Sequence, residues 1–155
     1  MAHLSGQKVS GGRAQVVALL LLRIFLGVFI FFFGLDKASW LLDATPLATQ
    51  LAAWLPGAPP ASRWYLERII PGAPVFARIV PLGTMLSGIA LALGLWTRIA
   101  AAISLMLVLS LQVAAGSMFR YAYFMDASGL PLIGGLLALV IGGETRKEKR
   151  RTKPE

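Results

Sequence analysis

The chain has 155 residues, of which 57% are apolar and only 14% are charged. Soluble domains average about 45–50% apolar and about 25% charged residues, and a chain this small leaves much of its surface outside any core. The composition excludes an ordinary soluble domain and favours a membrane protein. There is no Cys and the one His is His3, so the sequence offers no thiolate or paired imidazole ligands for a metal or for bis-His haem.

The net charge of +8 comes from 15 Lys and Arg against 7 Asp and Glu. Such a balance indicates nucleic-acid binding when the charges share one soluble face. Here every basic residue except Arg23 lies outside the apolar segments. We therefore expect no nucleic-acid partner and interpret the basic C-terminal stretch as a tail beside the membrane, which holds Arg146, Lys147, Lys149, Arg150, Arg151 and Lys153.

The first apolar span covers residues 14–35 and follows a short N-terminal segment, residues 1–13. Only Gln15 and Arg23 interrupt it. At 1.5 Å per residue the span crosses a hydrocarbon layer of about 30 Å. It is longer than the core of a signal peptide and lacks a following cleavage pattern, so we expect it to remain in the mature protein.

Three more spans are predicted in the second half of the chain. Two of them are separated only by Thr97 and Arg98, which requires an antiparallel hairpin, and the last is short. The predicted fold is an all-α integral membrane protein, a single domain built as a four-transmembrane-helix bundle. Its later segments are the outer loop 36–78, spans 79–96 and 99–116, the outer loop 117–127, the span 128–143 and the tail 144–155.

The long outer loop contains six prolines, which divide it into short pieces. Two of these pieces, Leu47–Leu55 and Ala61–Ile70, mix tryptophan and tyrosine with charged residues. This mixture is typical of short interfacial helices lying in the headgroup layer. We expect a lid over one face of the bundle, the alternative being a loop that only joins two spans.

The orientation follows from the distribution of Lys and Arg around the spans. Nine of them flank the side that carries both termini, and five flank the other side, namely Lys37, Arg63, Arg68, Arg78 and Arg120. Both termini are therefore predicted to be cytoplasmic.

Arg23 is the one charge predicted inside a span, about 10 Å below its cytoplasmic end. All seven acids lie outside the spans or at their edges, so a proton pump with buried carboxylates is not expected. Gly27 and Gly34 fall near the same helix face as Arg23, whereas most of the phenylalanines fall elsewhere. Arg23 either extends to the headgroups or offers donors to a quinone carbonyl, an oxyanion or a lipid phosphate.

Small residues recur in the other spans at spacings that favour close helix packing. These are Thr84 with Gly88, Ala90 with Gly94, and Gly134 with Ala138 and Gly142. Weakly polar residues in the spans line a pocket or bond across helices, namely Thr84, Ser87, Ser104, Ser110 and Gln112.

The segment 118–126 combines aromatic residues with Arg120 and one acid. It is typical of an interfacial aromatic belt. With Asp36, Lys37 and Trp40 it could instead form a mouth for a quinone head group or a small sulfur oxyanion. No hydrolase triad, phosphate loop or dinucleotide motif occurs, so no catalytic residue is assigned.

Two motifs resemble the DoxX family of membrane proteins. The first is Leu22-Arg23 with Gly27, closing in the run from Phe33 to Lys37. The second runs from Pro74 to Gly88 and closes in Gly94-Leu95-Trp96-Thr97-Arg98. The resemblance implies a four-helix protein of the bacterial inner membrane, with relatives that include the small subunit of a thiosulfate:quinone oxidoreductase. The family often has Glu where this chain has Thr84, so this chain lacks the intramembrane acid that could have paired with Arg23.

Two main hypotheses follow. The first is a membrane subunit of a redox complex, enzymatic only within a quinone-linked oxidoreductase, that contributes to quinone binding. Its ligand-binding residues would be Arg23, Lys37, Thr84, Arg98 and Arg120, with membrane lipid and other subunits of the complex as partners. The alternative is an accessory structural subunit without its own chemistry, packed against a larger respiratory or photosynthetic complex. A small exporter or lipid-handling protein is a third option.

Overall fold

The computed structural model describes residues 5–117, 125 and 129–143. Within these residues the chain forms six α-helices, which are α1 (Ser5–Leu35), α2 (Thr45–Trp54), α3 (Pro60–Ile69), α4 (Ala73–Leu93), α5 (Thr97–Ala114) and α6 (Leu130–Gly142). Short 3-10 segments lie at Ala38–Leu41, Leu55–Gly57 and Ile70–Gly72. No strand occurs among the described residues, so this part of the chain is all-helical as predicted.

Within the part of the chain that the structure describes, three helical runs are long and apolar enough to cross a membrane. The first is Ala14–Leu35, the apolar part of α1, and the third is α5. The second, Pro60–Leu93, joins α3 to α4 through one 3-10 turn. With 13 residues, α6 is apolar but shorter than these three.

The second predicted span, residues 79–96, differs from the observed helix at both ends. α4 begins at Ala73 because Pro74 lies in its first turn, where the missing N–H costs nothing. It ends at Leu93 because Gly94 adopts the left-handed conformation that terminates helices. The third predicted span, 99–116, corresponds to α5, which begins and ends two residues earlier.

Four helices form a ring in which α1 contacts α4, α4 contacts α5, α5 contacts α6 and α6 contacts α1. The contact between α1 and α4 is the closest. A Cβ on Gly27 would lie 2.6 Å from the Ala92 nitrogen, and one on Gly88 would lie 2.6 Å from the Phe31 nitrogen. The close packing predicted at Gly88 is confirmed, and Gly27 and Gly34 take part in the same contact, because only glycine lets these backbones touch.

The stripe of small residues predicted for the last span is wrong at Gly134 and Ala138, whereas a Cβ on Gly142 would lie 3.7 Å from a Leu19 methyl carbon. A Cβ on Gly134 would meet nothing within 4 Å, and Ala138 is exposed. The close approach falls one residue later, since a Cβ on Gly135 would lie 2.8 Å from a Leu26 methyl carbon. Spacing alone identified a small-residue stripe on α6 but not which side of the helix faces its neighbours.

Two hydrophobic clusters hold the helices together. The bundle core lies among α1, α4, α5 and α6 and comprises Ile30, Leu91, Ala100, Ala101, Val108, Leu132, Leu136 and Leu139. The cap, which we define as residues 38–72, packs on the first half of α4 and the end of α5. Its core consists of Trp40, Leu47, Leu51, Leu66, Ile69, Ala73, Ala77, Val80 and Ala114.

Candidate functional site

The guanidinium of Arg23 lies against the end of α4. A Cβ on Gly94 would overlap this group, lying 2.6 Å from Arg23 Cζ and 2.9 Å from Nη2. Gly94 has φ +73° and follows the last residue of α4. The Arg23 side chain therefore crosses from α1 to α4 and occupies the space that any other residue at position 94 would need.

Electrostatics favours a cation at this point. The end of an α-helix carries a partial negative charge on its unpaired carbonyls, which stabilises a nearby cation by about 0.3–1 kcal/mol. The three acids within the described ranges, Asp36, Asp43 and Glu67, all lie in residues 36–67, at the other end of α1. Arg23 Nε is buried and has no hydrogen-bond partner among the described residues. Arg23 therefore lies beside a helix end, and one of its donors, Nε, has no partner among the described residues.

The turn between α4 and α5 is tightly constrained. The amide of Leu95 donates to the Ala90 carbonyl over 2.8 Å and that of Gly94 to the Leu91 carbonyl over 3.1 Å, an arrangement that caps the end of α4. Trp96 also has positive φ, +46°, which costs a residue with a side chain roughly 1–2 kcal/mol. Two features therefore explain the glycine at position 94 of the second motif, namely the reversal of the chain and the contact with Arg23.

Arg98 and Thr97 connect this turn to the end of α6. Arg98 Nε donates a hydrogen bond to the carbonyl of Gly143, the residue directly after α6. Thr97 Cγ2 lies 3.0 Å from the point where a Gly143 Cβ would be. Arg98 therefore joins the turn between α4 and α5 to the end of α6. We call this side of the bundle, where α4 and α6 end and α5 begins, the arginine end.

Lys37 lies at the opposite end of α1, about 20 Å along the helix from Arg23. Its Nζ donates to the Phe33 carbonyl and to Asp36 Oδ2, both over 3.3 Å, and lies 3.7 Å from the centre of the Phe33 ring. These contacts fix the ammonium at the end of α1. The structure therefore does not bring Lys37 and Arg23 together around one ligand.

Thr84 is fully buried between α1 and α4, and a Cβ on Gly34 would overlap its hydroxyl. That hydroxyl donates to the carbonyl of Val80, with 2.7 Å between the oxygens. Ser104 donates to Ser87 across α5 and α4 over 2.8 Å, and Ser87 donates to the Thr84 carbonyl. Of the two interpretations of these polar residues, the contacts favour bonding within and between helices over the lining of a pocket.

The fifth predicted site residue, Arg120, lies outside the described residues, as does most of the aromatic segment 118–126. Sequence reasoning missed Ser62, a fully buried residue of α3 whose hydroxyl has no partner among the described residues. No pattern marks it, because serine in the first turn of a helix is ordinary. It also missed that the Arg23 guanidinium lies against the end of α4 at Gly94, because helix packing brings these two positions together and the sequence does not show that packing.

Comparison with known proteins gives one match. The model of the DoxX family matches residues 18–117, which include both motifs and the residues Arg23, Gly94, Thr97 and Arg98 of the arginine end, but not α6. No curated protein and no solved structure matches the chain. The matched range also contains the whole cap and the close contact between α1 and α4.

Proposed function

This chain belongs to the DoxX family of membrane proteins, and from that premise we propose that it is a four-span membrane subunit of an electron-transfer complex that presents Arg23 to a quinone. The chain is an integral membrane protein with several apolar helices. The bacterial inner membrane and cytoplasmic termini are part of the proposal. They are supported by the resemblance and by the excess of Lys and Arg on the side of the termini.

A fourth span is supported by the packing of α6. This helix closes the ring with α1 and α5, and its buried Leu132, Leu136 and Leu139 belong to the bundle core. Its 13 residues extend about 20 Å, less than the hydrocarbon thickness of about 30 Å. A short span of this kind is accommodated by local thinning of the bilayer.

The proposal rests on Arg23 Nε, a buried donor that has no hydrogen-bond partner among the described residues. A buried N–H without a partner is unfavourable, and an acceptor oxygen placed there would satisfy it. Quinone carbonyls are acceptors of this kind, and a quinone supplies its own redox chemistry once bound. Arg23 would hold and orient the head group through the guanidinium, whose charge the end of α4 already stabilises. Other subunits of the complex would exchange electrons with it.

Quinone content of the purified protein tests the proposal. The protein is extracted in a mild detergent, and quinone per protein is measured for the natural chain, Arg23→Ala and Arg23→Lys. We expect at least a fivefold loss in Arg23→Ala and a partial loss in Arg23→Lys, because Lys keeps the charge but not the donor geometry.

The matched control for this experiment is Arg63→Ala. Arg63 is exposed and pairs with Glu67 over 3.6 Å within the cap, far from the arginine end. Its replacement should leave the quinone content unchanged. Equal quinone in the natural chain and in a folded Arg23→Ala protein would refute the role of Arg23, as would a natural chain that carries no quinone.

The second candidate is an accessory structural subunit, and the surface of α1 favours it. Phe25 is 70% exposed and Phe32 is 60% exposed, which leaves an aromatic face free for lipid or for another subunit. This candidate predicts that the protein co-purifies with larger redox proteins. Capture should weaken in the double variant Phe25→Ala, Phe32→Ala, while Leu86→Ala, an equally exposed change on α4, should leave it unchanged.

A further inference from the structure

A cavity lies in the cap, at the opposite end of α5 from Arg98. A partly open cavity of about 180 Å³ is found where the end of α2 and the beginning of α3 meet the end of α5. Its lining residues are Ala53, Trp54, Gly57, Ala58, Pro59, Ala115 and Gly116. Drug-sized ligands need roughly 300–1,000 Å³, whereas an apolar cavity of about 150 Å³ binds benzene. The volume therefore fits a single ring.

The buried hydroxyl of Ser62 lies close to Gly116, one of the lining residues. Gly116 lines the cavity with φ +62°, and a Cβ built on it would lie 3.1 Å from Pro59 Cδ and 3.6 Å from Ser62 Oγ. Ser62 is 0% exposed, and its Oγ has no hydrogen-bond partner in the described part of the chain. Buried hydroxyls are nearly always paired, so this one marks a place where an acceptor or donor is missing.

The beginning of α3 adds to this polarity. Pro59 precedes the helix and provides no side-chain cap, and the first intrahelical bond runs from the Arg63 amide to the Pro59 carbonyl over 2.8 Å. The amides of Ala61 and Ser62 consequently have no partner within the helix. The positive end of α3 and the Ser62 hydroxyl together favour an acceptor oxygen beside Pro59.

We propose that this cavity binds a neutral single-ring molecule that carries a carbonyl oxygen. The ring would lie against the Trp54 indole, and the oxygen would accept a hydrogen bond from Ser62. No charged side chain is among the lining residues that the structure describes, which favours a neutral ligand. The ring of a lipid-soluble quinone belongs to this class, but the site is separate from Arg23 and does not depend on it.

A matched pair of probes tests the proposal on the full chain in mild detergent. Acetophenone carries a ring and a carbonyl, whereas ethylbenzene has nearly the same shape without the oxygen. Binding is followed by saturation-transfer NMR of the probe and by quenching of tryptophan fluorescence. We expect saturable binding of acetophenone that weakens about fivefold in Ser62→Ala, the effect of losing one hydrogen bond, while ethylbenzene binds equally to both proteins.

The second part of the experiment uses substitutions that fill the cavity with a larger side chain. Ala115→Leu places a larger side chain in the cavity, and Ala53→Leu does the same from an exposed position that leaves the helix contacts intact. Each should weaken acetophenone binding at least fivefold. Ala52→Leu, exposed on the same helix but not lining the cavity, should leave it within twofold.

Three results would overturn the proposal. They are the absence of saturable acetophenone binding, equal binding to the natural chain and Ala53→Leu, and no difference between the two probes in their response to Ser62→Ala. Because Arg23 takes no part in this site, loss of quinone from Arg23→Ala and loss of acetophenone from Ala53→Leu are independent results.

Discussion

At the scale of single residues, Gly94 carries two requirements that no other residue meets. Its φ of +73° is a conformation that costs a side-chain-bearing residue roughly 1–2 kcal/mol. The Arg23 guanidinium also fills the space where a Cβ would go. A substitution here would strain the turn and displace the charge that stabilises the end of α4.

Gly94→Ala is therefore expected to lower the free energy of unfolding by roughly 2 kcal/mol or more, the strain and the lost Arg23 contact acting together. The measurement is reversible unfolding in mixed detergent micelles. Gly134→Ala is the matched control, because its Cβ would meet nothing within 4 Å and alanine stabilises a helix interior by roughly 0.5–1 kcal/mol over glycine. A control that unfolds more easily than Gly94→Ala would contradict this explanation.

At the scale of helices, the sequence predicts the apolar runs well and their ends less well. The first span, residues 14–35, coincides with the apolar part of α1, since a long run with few polar residues leaves little choice. The start of α4 was missed because Pro74 was counted as a loop residue, although proline is compatible with a first turn. Arg78 is the last residue of the predicted outer loop, yet in the structure it is an exposed residue of α4.

For the candidate site, the sequence predicts which residues take part but not how they are arranged in space. The motifs identify Arg23, Gly94, Thr97 and Arg98, but not that they meet at one end of the bundle. That meeting depends on the antiparallel contact of α1 with α4 and on the placement of α6. Neither follows from hydropathy, because lipid-facing and helix-facing residues are equally apolar. The packing side of α6 was missed for this reason.

The carboxylate of Asp43 makes a pH-dependent contact with Thr45, the first residue of α2. Hydrogen bonds from the Thr45 side chain and from its amide, the latter over 2.9 Å, lower the pKa of Asp43 below its usual 3.8. Since the folded-state pKa is the lower one, the stabilisation is complete above 3.8 and is lost as the pH falls through the folded value. We expect amide exchange in residues 45–54 to accelerate on this acidification.

Hydrogen-exchange mass spectrometry of the natural chain and Asp43→Ala checks this expectation. In the variant the exchange of α2 should be faster at neutral pH and should lose its additional acid dependence. An unchanged acid response in Asp43→Ala would assign the effect to other groups.

At the scale of the whole molecule, the helix directions place the two ends of the bundle on opposite sides of a membrane. The turn between α4 and α5 lies at the arginine end, whereas the cap lies at the other end of α4. With the Lys and Arg distribution of the sequence, this arrangement predicts that the arginine end is cytoplasmic and the cap is on the outer face.

Single cysteines test this orientation without background, because the natural chain contains none. Leu42 in the cap is 96% exposed, and Leu95 in the turn between α4 and α5 is 47% exposed. A maleimide that cannot cross membranes should label Leu42→Cys in intact spheroplasts and Leu95→Cys only after the membrane is opened. Labelling of both from the same side would disprove the topology.

The backbone contact between Gly27 and Gly88 also governs how the chain is assembled during synthesis. The two glycines are separated by about sixty residues, so a ribosome that adds roughly 5–20 residues per second produces α4 several seconds after α1. Throughout that interval the surface of α1 around Gly27 has to be covered by acyl chains or by the insertion machinery. Completion of the bundle therefore requires whichever of the two covers this surface to leave before α4 packs against it.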